Sequence, residues 1–358
     1  MKALAIFPSV RDTPNFGKYA ANFARYKREV DVMVIDEDSR YRTATAEQFV
    51  EYGFTPEFYG ESERCEWCRK HLGVDADLII PRRSHDELSF GLLVAYLRSY
   101  DMVCFIDDDT YPNIHEDFIG EHYRRLSGAV QMQSRVNYAG GWVNTHPYNY
   151  ARGYPYSQRP GDFDYSGFTR KENSVLHMGL WEGIPDLNAI DYLSFDFNSL
   201  KANPNFFGKI ADFTLEPGQY APICSMNLSF KPEIIPAFYQ LWDNNRYNDI
   251  FSGVFLKRIA DHLGRNVSVG NPTCYHEKAP RDIFRDAETE LPSIKLNENL
   301  WKTLNQMQFT QKTWLGCYRE LASFLNEAYV DTEFSDTIYR MTCKMQLWCN
   351  IIEKLEAQ

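Results

Sequence analysis

Three consecutive aspartates, Asp107, Asp108 and Asp109, are the residues of this 358-residue chain whose types and spacing point most directly to chemistry. They follow the apolar segment 102–106, which has the composition of a buried strand. Adjacent carboxylates repel one another unless a cation lies among them. Mg²⁺ or Mn²⁺ prefers such oxygen ligands and commonly binds through one or two carboxylates together with substrate phosphates. The alternative is a turn whose Asp side chains cap nearby backbone groups, and the triplet alone leaves both open.

The segments around these aspartates alternate between strand and helix patterns. Apolar runs at 4–7, 30–35, 77–80 and 102–106 predict strands, each followed by a proline or an aspartate. The stretch 84–87 matches a capping box, with Ser84 as N-cap and Glu87 reaching back, and residues at helical spacing follow it. Such alternation indicates an α/β fold in which helices flank a mostly parallel central sheet.

Polar or turn-forming residues follow three of these predicted strands. Pro8 and Ser9 end the first, Asp36 ends the second, and Asp107 follows the fourth. In parallel α/β sheets, ligands bind in the crevice outside the carboxyl ends of the strands. We therefore expect these residues to surround one ligand site.

Two later regions have a different character. Residues 137–175 are rich in Tyr, Gly, Pro and Asn and show little periodicity, which predicts a long functional loop. From about residue 295 the apolar pattern becomes helical again, with a last amphipathic stretch at about 336–355. We expect a sheet domain at 1–290 and a helical C-terminal extension at 291–358.

Composition and missing motifs exclude several classes of protein. The formal net charge of −11 does not favour a nucleic-acid partner. No apolar stretch approaches the roughly 18 residues that a membrane span needs, and eight scattered cysteines predict a reducing cytoplasm. No Walker A sequence, Gly-x-Gly-x-x-Gly after the first strand or Gly-x-Ser-x-Gly elbow occurs. Phosphate binding would therefore come from a metal, Arg, Lys or helix N-termini.

Several segments resemble a known family. The segment 106–109 looks like the Asp-x-Asp motif of GT-A glycosyltransferases. Further segments, spread over nearly the whole chain, are similar to the reversibly glycosylated polypeptide family, which includes the plant UDP-arabinopyranose mutases. These segments are, in order, 151–159 (ARGYPYSQR), 179–181 (GLW) with 184–186 (IPD), 222–228 (PICSMNL), 246–249 (RYND), 261–264 (DHLG), 275–278 (YHEK) and 316–321 (GCYREL).

The resemblance implies a GT-A-like (Rossmann-like) fold, with residues 1–290 as the nucleotide-sugar-binding catalytic domain of a metal-dependent enzyme. The implied reaction interconverts the pyranose and furanose forms of a UDP-sugar, as with UDP-arabinose. Two alternatives stay open: a GT-A glycosyltransferase that moves the sugar to a saccharide, protein or modified-base acceptor, and a self-glycosylated carrier protein. The implied partners are the UDP-sugar, an acceptor in the second case, and further copies of the chain in a homo-oligomer.

The resemblance also assigns nucleotide and metal contacts. Asp107, Asp109 and His276 would hold Mn²⁺ or Mg²⁺, and Asp107 and Asp108 would contact the diphosphate. Without the resemblance, we would interpret His276 as a surface residue. The further nucleotide contacts are Pro8, Ser9, Arg11, Asp36, Arg83 and Asp86, of which Arg83 and Asp86 would otherwise be solvated charges at a helix start.

The resemblance assigns the catalytic positions to Arg152, Arg159 and Asp249. In the family, the arginine that matches Arg152 becomes glycosylated and is needed for mutase activity. A guanidinium stays protonated and is a poor nucleophile, so its role from physical chemistry would be to clamp the diphosphate bidentately. The alternative for either arginine is a loop anchor. Asp249 would orient a sugar hydroxyl or act as a base.

Three further residues are predicted to contact the sugar, and three features depart from the family. Tyr154 and Trp181 would stack on the sugar ring, with core packing as the alternative for Trp181, and Asn227 is the third sugar contact. Position 248 is Asn where the family usually has Asp. The stretch between Arg159 and residue 179 is longer than expected, and His177 is displaced by one position. The nucleotide side therefore matches the family, whereas the acceptor side departs from it.

Overall fold

The first half of the chain alternates strands and helices. The computed structural model describes residues 1–73, 79–80, 84–135, 141–145, 150–159, 169–194, 212–241, 246–278 and 282–358. Its first elements are β1 (Ala3–Ser9), α1 (Asn15–Arg25), β2 (Val30–Asp36), α2 (Arg42–Val50), β3 (Glu57–Tyr59), α3 (Glu61–His71), α4 (Leu88–Tyr96), β4 (Met102–Ile106), β5 (Thr110–Pro112) and α5 (Phe118–Leu126).

The second half adds strands to the same sheet and ends in three long helices. Its elements are β6 (Gln131–Arg135), β7 (Thr169–Lys171), β8 (Ser174–Gly183), α6 (Ala189–Tyr192), β9 (Phe213–Leu215), β10 (Asn227–Phe230), α7 (Asn248–His262), β11 (Asn266–His276), α8 (Ile283–Gln306), α9 (Trp314–Ala328) and α10 (Ser335–Glu356). Short 3₁₀ turns occur at Ser39–Tyr41, His85–Glu87, Tyr156–Gln158 and Pro232–Ala237.

Within the described residues, one mixed sheet organises the molecule. Its strand order is β3-β2-β1-β4-β10-β8-β11-β9-β6-β7, and β5 pairs with β11 outside this path. The first four strands in this order are parallel, as predicted. Beyond β4 the strands pair in both directions, because β10 runs antiparallel to both of its neighbours. The α/β class, with a central sheet flanked by helices, is confirmed. Only β3, β2, β1 and β4 form an uninterrupted parallel run, and beyond them the parallel pairs β8–β11 and β6–β9 alternate with antiparallel pairs.

Strand β1 shows why the sheet is central to the core. Its side chains are apolar at consecutive positions because both faces are covered, as in buried parallel strands. Leu4 and Ile6 face the core on the side of α4, while Ala3, Ala5 and Phe7 face the core on the side of α1. This two-sided burial fixes the register of β1, since a one-residue shift would exchange the two faces. The strand ends are therefore held in defined positions.

Three local predictions differ from the structure. Ile79 and Ile80 lie in a turn rather than a strand, and the rest of the predicted strand 77–80 lies outside the described residues. Glu87 does not complete a capping box, because its carboxylate pairs with Arg64 in the interior. The end of the predicted 137–175 loop is wrong, since β7 and β8 begin at 169 and 174. In each case a tertiary contact or strand pairing overrides the local pattern.

The three C-terminal helices confirm the predicted helical end of the chain. The boundary expected at residue 290 falls within α8, which begins at Ile283. Helices α9 and α10 pack against each other and against the turn Pro232–Ala237, and α9 also packs against helix α7 of the sheet region. In the part of the chain that the structure describes, no helix combines the length and apolar character needed to cross a bilayer. The helical extension is therefore packed on the sheet domain, as expected.

Candidate active site

The carboxyl ends of β1, β2 and β4 lie at one edge of the sheet. Ser9 is paired in register with Asp36, and Ile6 is paired with Phe105 two positions before the aspartates. On the other side of β4, the Asp107 amide donates to the Met226 carbonyl at 3.1 Å. The predicted convergence of strand ends is confirmed, because parallel strands in register bring their last residues to the same edge.

The three aspartates form a tight turn. The hydroxyl of Thr110 donates to the Asp107 carbonyl at 2.9 Å, and the Thr110 amide donates to the same oxygen at 3.3 Å. The Asn15 side chain of α1 donates to this carbonyl as well, at 3.1 Å. Thr110 and Asn15 therefore stabilise the turn, and the side chains of Asp108 and Asp109 point to other partners. The two alternatives left open by the sequence, a turn and a ligand site, are therefore compatible, because the backbone can form the turn while the side chains contact a ligand.

Asp108 is bound by Arg11. The Nε atom of Arg11 donates to Asp108 Oδ2 at 2.9 Å, and a terminal nitrogen donates to Oδ1. Burial raises the pKa of Asp108, and the hydrogen bonds and charge of Arg11 oppose that shift. The same guanidinium lies 4.0 Å from Asp109. Two predicted nucleotide contacts therefore bind each other, and their pairing places a positive charge among the three carboxylates.

Asp109 lies beside His276. The Nε2 atom of His276 is 3.6 Å from Asp109 Oδ2, and both side chains are largely buried. The Nδ1 atom is 2.6 Å from the Ile184 carbonyl. Because a carbonyl only accepts, Nδ1 carries a proton and Nε2 is the atom that faces the carboxylate. Burial alone would lower the pKa of His276, but neighbouring Asp109 raises it.

This pair has the chemistry of a divalent-cation site. Metal-binding histidines commonly donate their second ring N–H to a carbonyl or carboxylate, as Nδ1 of His276 does here. Two ligands about 2.1 Å from one ion can be up to about 4.2 Å apart, so the 3.6 Å between Asp109 and His276 is suitable. Within the described ranges, no three His, Cys, Asp or Glu side chains converge enough to hold an ion alone. A cation here would need oxygen ligands from a substrate or water, as Mg²⁺ sites usually do.

The other predicted nucleotide contacts are spread over two places. Asp36 is buried and accepts from Arg42 Nε at 2.7 Å. Asp86 lies beside the start of α7, where it accepts hydrogen bonds from Ser84 and from the side chain of Asn248. Pro8 and Ser9 are buried at the end of β1. Arg83 lies outside the described residues.

Arg152 is buried, and each of its five N–H groups has an acceptor. Nε donates to Asp186 at 2.7 Å, and the two terminal nitrogens donate to the two oxygens of Asp249 at 2.9 Å each. The two remaining hydrogens point to the Arg246 carbonyl and to Cys224 Sγ. Five donors are all that a guanidinium has, so Arg152 can clamp a diphosphate only by giving up one of these contacts. In this arrangement Arg152 also holds Asp186 and Asp249 in fixed positions.

Asp186 is the centre of a cluster of three cationic side chains. Arg152 Nε lies 2.7 Å away, Arg246 lies 3.4 Å away and Lys278 Nζ lies 3.8 Å away. Burial would raise the pKa of Asp186, but the charges of Arg152, Lys278 and Arg246 lower it below its usual range. Burial lowers the pKa of Lys278 to about 8, and the charge of Asp186 limits that drop. Glu290 of α8 pairs with Arg246 and is itself fully buried.

Helix α8 and one glycine hold the loop that carries Arg152. Gly153 has φ +89°, and a Cβ atom there would lie 2.5 Å from Ile250, so both backbone and space require glycine. Asn297 of α8 donates to the Gly153 carbonyl at 2.6 Å. Glu298 of α8 accepts from the amides of Tyr156 and the next residue at 2.6 and 2.9 Å. The helical extension is therefore part of the site's support.

Arg159 lies in a separate cluster. Its two terminal nitrogens donate to the two oxygens of Asp191 at 2.6 and 2.8 Å. Its guanidinium carbon lies 3.5 Å from the centre of the Tyr156 ring. No contact joins Arg159 to Asp186 or Asp249 among the described residues. The structure therefore does not bring Arg159 into the group around Arg152.

The three predicted sugar contacts lie in the interior. Tyr154 and Trp181 are 2% exposed and belong to the main apolar core. Asn227 is fully buried; its Nδ2 donates to the carbonyls of Leu180 and Pro272, and its Oδ1 faces His122. A sugar contact by these residues stays a prediction that requires local rearrangement. His177 lies in the same interior network and does not reach the site, as its displaced position suggested.

One short segment joins the Asp109–His276 pair to the Arg152 cluster. The Ile184 amide donates to the His276 carbonyl at 3.1 Å, and the Ile184 carbonyl accepts from His276 Nδ1. Asp186 follows two residues later. Sequence analysis assigned no role to Asp186, Arg246 or Lys278, although each lies in a segment that resembles the family. The sequence feature that could have identified these residues is the presence of ionisable side chains in those segments. Their convergence could not be predicted, because it depends on contacts between residues distant in sequence.

Comparisons with known proteins agree with the sequence resemblance. A sequence model described as "Reversibly glycosylated polypeptide" matches residues 83–357. UDP-arabinopyranose mutase 3 of Arabidopsis thaliana is 30% identical to this chain over 328 residues, which cover 86% of this chain and 82% of that protein. UDP-arabinopyranose mutase 1 of the same plant is 30% identical over 210 residues, 56% of this chain and 54% of that relative. The chain thus spans about half the length of the latter protein.

A solved structure is also similar in part. Glucosyl-3-phosphoglycerate synthase from Mycobacterium tuberculosis, in complex with Mn²⁺, UDP and phosphoglyceric acid, has a TM-score of 0.42 and 13% sequence identity to this chain. The similar part covers 83% of this chain and 78% of that chain.

Proposed function

This chain belongs to the reversibly glycosylated polypeptide family, and on that premise we propose that it interconverts the pyranose and furanose forms of a UDP-sugar. The relatives named UDP-arabinopyranose mutase support UDP-arabinose as the model substrate. The observation that carries the proposal is the position of Arg152 between Asp186 and Asp249, joined through the segment 184–186 to the Asp109–His276 pair. Catalysis of this kind needs a diphosphate site beside a group that can receive the sugar.

In this proposal the strand ends bind the donor. The uridine lies over the ends of β1 and β2, near Ser9 and Asp36, and the diphosphate lies over the aspartate turn. Asp109 and His276, with Asp107 as the third predicted ligand, would hold Mn²⁺ or Mg²⁺. The ion would supply charge neutralisation at the diphosphate. Arg11 binds Asp108, so in this proposal the ion is assigned to the two outer aspartates of the triplet.

Arg152 and Asp249 receive the sugar. The bond between sugar C1 and the diphosphate oxygen breaks, UDP leaves with the electron pair, and a bond forms from C1 to a terminal nitrogen of Arg152. The proton that this nitrogen loses passes to Asp249, which already accepts a hydrogen bond from each terminal nitrogen. The guanidinium is a poor nucleophile while protonated, so this proton transfer is what makes the step feasible.

The return step rebuilds the nucleotide sugar. While Arg152 holds the sugar, the ring opens and closes again through a different hydroxyl oxygen. The diphosphate oxygen then attacks C1, the bond from C1 to nitrogen breaks, and Asp249 returns the proton to Arg152. No oxidation or net hydrolysis occurs, so the products are isomers of the substrate and the reaction runs in both directions.

Incubation with UDP-arabinopyranose and Mn²⁺, followed by chromatography of the nucleotides, tests this proposal. We expect the furanose isomer, and we expect the same final mixture from either isomer. UDP release only when an acceptor is added would instead identify a glycosyltransferase. One stable sugar adduct per chain without turnover would identify a carrier. Mapping the adduct by peptide mass spectrometry should place one pentose on Arg152 and none on Arg159.

We also propose that the protein works in the cytoplasm. All eight cysteines lie in described parts of the chain, and none of them forms a disulfide. Thiols persist in a reducing compartment, whereas secreted proteins usually form disulfides. Fractionation of cells with an antibody to the protein would test this location.

A further inference from the structure

Lys278 carries a nearly buried ammonium group whose partners are incomplete. Its side chain is 7% exposed. Asp186 Oδ1 lies 3.8 Å from Nζ, beyond hydrogen-bond distance, and the centre of the Tyr192 ring lies 3.9 Å away. Among the residues that the structure describes, none accepts a hydrogen bond from Lys278. An ammonium has three N–H donors, and leaving them unmet in the interior is costly.

The neighbouring carboxylate cannot satisfy this ammonium, because other cations already use it. Asp186 Oδ2 accepts from Arg152 at 2.7 Å, and Oδ1 lies 3.4 Å from Arg246. Arg152 has Asp249 as a second anionic partner, and Arg246 has Glu290. In the described parts of the chain, the only carboxylate near Lys278 is Asp186, at 3.8 Å. Of the three cations in the cluster, Lys278 is thus the one that donates no hydrogen bond to a described residue.

Lys278 is also close in the chain to His276, one of the predicted metal ligands. Lys278 follows His276 by two residues, just after the end of β11. Asp186 follows Ile184 by two residues, and Ile184 binds the His276 ring and backbone. Lys278 therefore lies where the Asp109–His276 pair and the Arg152 cluster adjoin.

We propose that Lys278 binds the second phosphate of the UDP-sugar, the phosphate attached to sugar C1. This inference rests on the proposed function, because it identifies the ligand of the same site. The phosphate gains negative charge as its bond to C1 breaks, and an ammonium already in position stabilises that charge without reorganisation. The low-dielectric surroundings strengthen the attraction. The ligand supplies hydrogen-bond acceptors that the described residues do not provide to this ammonium.

Calorimetric titration with UDP and UMP, both at saturating Mn²⁺, tests this assignment. UMP lacks the second phosphate, so the ratio of the two affinities isolates its contribution. We expect Lys278→Met to weaken UDP binding about 10- to 100-fold, as for loss of one hydrogen bond between charged groups, and to leave UMP binding within about twofold of wild type. An equal loss for both nucleotides, or no loss for UDP, would overturn the assignment.

Lys257 provides a matched control for the removal of a buried ammonium. Lys257 is 1% exposed, but it donates to the Glu216 carbonyl at 3.1 Å and pairs with Asp261. Lys257→Met should lower the unfolding temperature and leave the UDP-to-UMP ratio unchanged. Lys278→Met should keep or raise the unfolding temperature, because it removes an ammonium that donates to none of the described residues. A lower unfolding temperature with an unchanged ratio would make Lys278 a structural residue and refute the proposal.

A second variant and the wild-type assay separate the two proposals. If Lys278→Met does not fold, Lys278→Gln replaces it, because glutamine is neutral and similar in length. The same decrease in the ratio of UDP affinity to UMP affinity is expected. If wild type forms no furanose isomer but the ratio still depends on Lys278, the mutase proposal fails and the phosphate assignment stands. If wild type forms the isomer and the ratio is independent of Lys278, only the phosphate assignment fails.

Discussion

Arg152 and Asp249 form a buried, two-point ion pair. Each terminal guanidinium nitrogen donates to a different carboxylate oxygen at 2.9 Å, although the residues are 97 positions apart in the chain. Such bidentate pairs are strong and fix both position and orientation. They also make each partner dependent on the other, because removal of one leaves a buried charge. The pair connects the loop around Gly153 to the first turn of α7.

Asp249→Asn should reduce both stability and turnover. Breaking a buried ion pair costs about 3–5 kcal/mol, and the smaller value applies because Arg152 keeps Asp186. Loss of the proton acceptor should lower the rate of isomerisation about 100-fold or more. Urea unfolding and the nucleotide assay measure the two effects.

Asp212→Asn is the matched control for that variant. Asp212 accepts from Arg125 at 2.8 and 2.6 Å in a similar bidentate pair, away from the proposed site. It should lose stability to a comparable extent and keep its turnover per folded molecule. Equal rate losses in the two variants would mean that Asp249 acts only through folding.

Asp109 and Asp108 should differ in their effect on metal-dependent binding. Asp109→Asn should abolish the increase in UDP affinity that Mn²⁺ produces, because Asp109 faces His276. Asp108→Asn should keep most of that increase and lower stability, because it leaves the half-buried Arg11 without its main partner. Calorimetry with and without Mn²⁺ measures both.

Asp101→Asn controls for the loss of one carboxylate near β4. Asp101 is exposed at the opposite end of this strand, so its replacement should leave Mn²⁺-dependent binding unchanged. Similar losses for Asp108→Asn and Asp109→Asn would show that the ion is shared by the whole triplet, contrary to the division of roles described above.

Arg152→Lys should affect turnover much more than donor binding. A lysine keeps the positive charge but cannot supply five donors in a plane. Asp186 and Asp249 would then lose their fixed positions, and misplacement of about 1 Å can cost about 100-fold in rate. UDP affinity should stay within about threefold of wild type, since each Arg152 N–H already has a protein acceptor.

Arg159→Lys gives the comparison for the second arginine. Arg159 binds Asp191 rather than the Arg152 cluster, so a smaller decrease in turnover is expected, with no change in the site of glycosylation. If Arg152→Lys retains full turnover, Arg152 is a loop anchor and the tethering step is wrong.

Stability should fall as the pH decreases below about 6.5, the usual pKa of histidine. Burial lowers the pKa of His177 to about 3 and that of His122 well below its usual value. Between these values the unfolded chain binds more protons than the folded protein, so acid favours unfolding. The expected loss from His177 alone is about 1.4 kcal/mol per pH unit. Midpoints of urea unfolding at about pH 7 and about pH 5.5 measure this loss of stability, because the two pH values lie on either side of the usual histidine pKa.

His177→Gln should make that pH dependence shallower. The variant removes one buried titrating group, so its stability should change less between the two pH values than that of wild type. His115→Gln removes an exposed histidine and should reproduce the wild-type slope. An unchanged slope in His177→Gln would mean that His177 is protonated in the folded protein.

The N-terminal sheet was predictable because its signals are local. Apolar runs of strand length ending in Pro or Asp gave β1, β2 and β4, and parallel pairing brings such ends together by geometry alone. The helical apolar pattern from about residue 295 onward likewise predicted the C-terminal helices, which include α9 and α10. The predictions that were wrong depended on distant partners: Glu87 pairs with Arg64 instead of capping its own helix.

The roles of individual polar residues were not predictable in the same way. Asn227 has a side chain suited to a sugar, yet its amide holds two backbone carbonyls in the interior. Asp186 and Lys278 had no assigned role, yet they adjoin Arg152 and the end of β11. A hydrogen bond or charge gains its value from burial and from the other groups present, and neither is visible in a single sequence.

The sequence by itself therefore determined that carboxylates lie at the end of a buried strand and that the chain resembles a nucleotide-sugar family. Those features follow from residue type and short-range periodicity. Only the tertiary structure decided that Asp108 is bound by Arg11, that Asp109 faces His276, and that Arg152 is held by two carboxylates. The physical reason is that these partners are far apart in the chain, and their pairing depends on the packing of the sheet and of α8 around them.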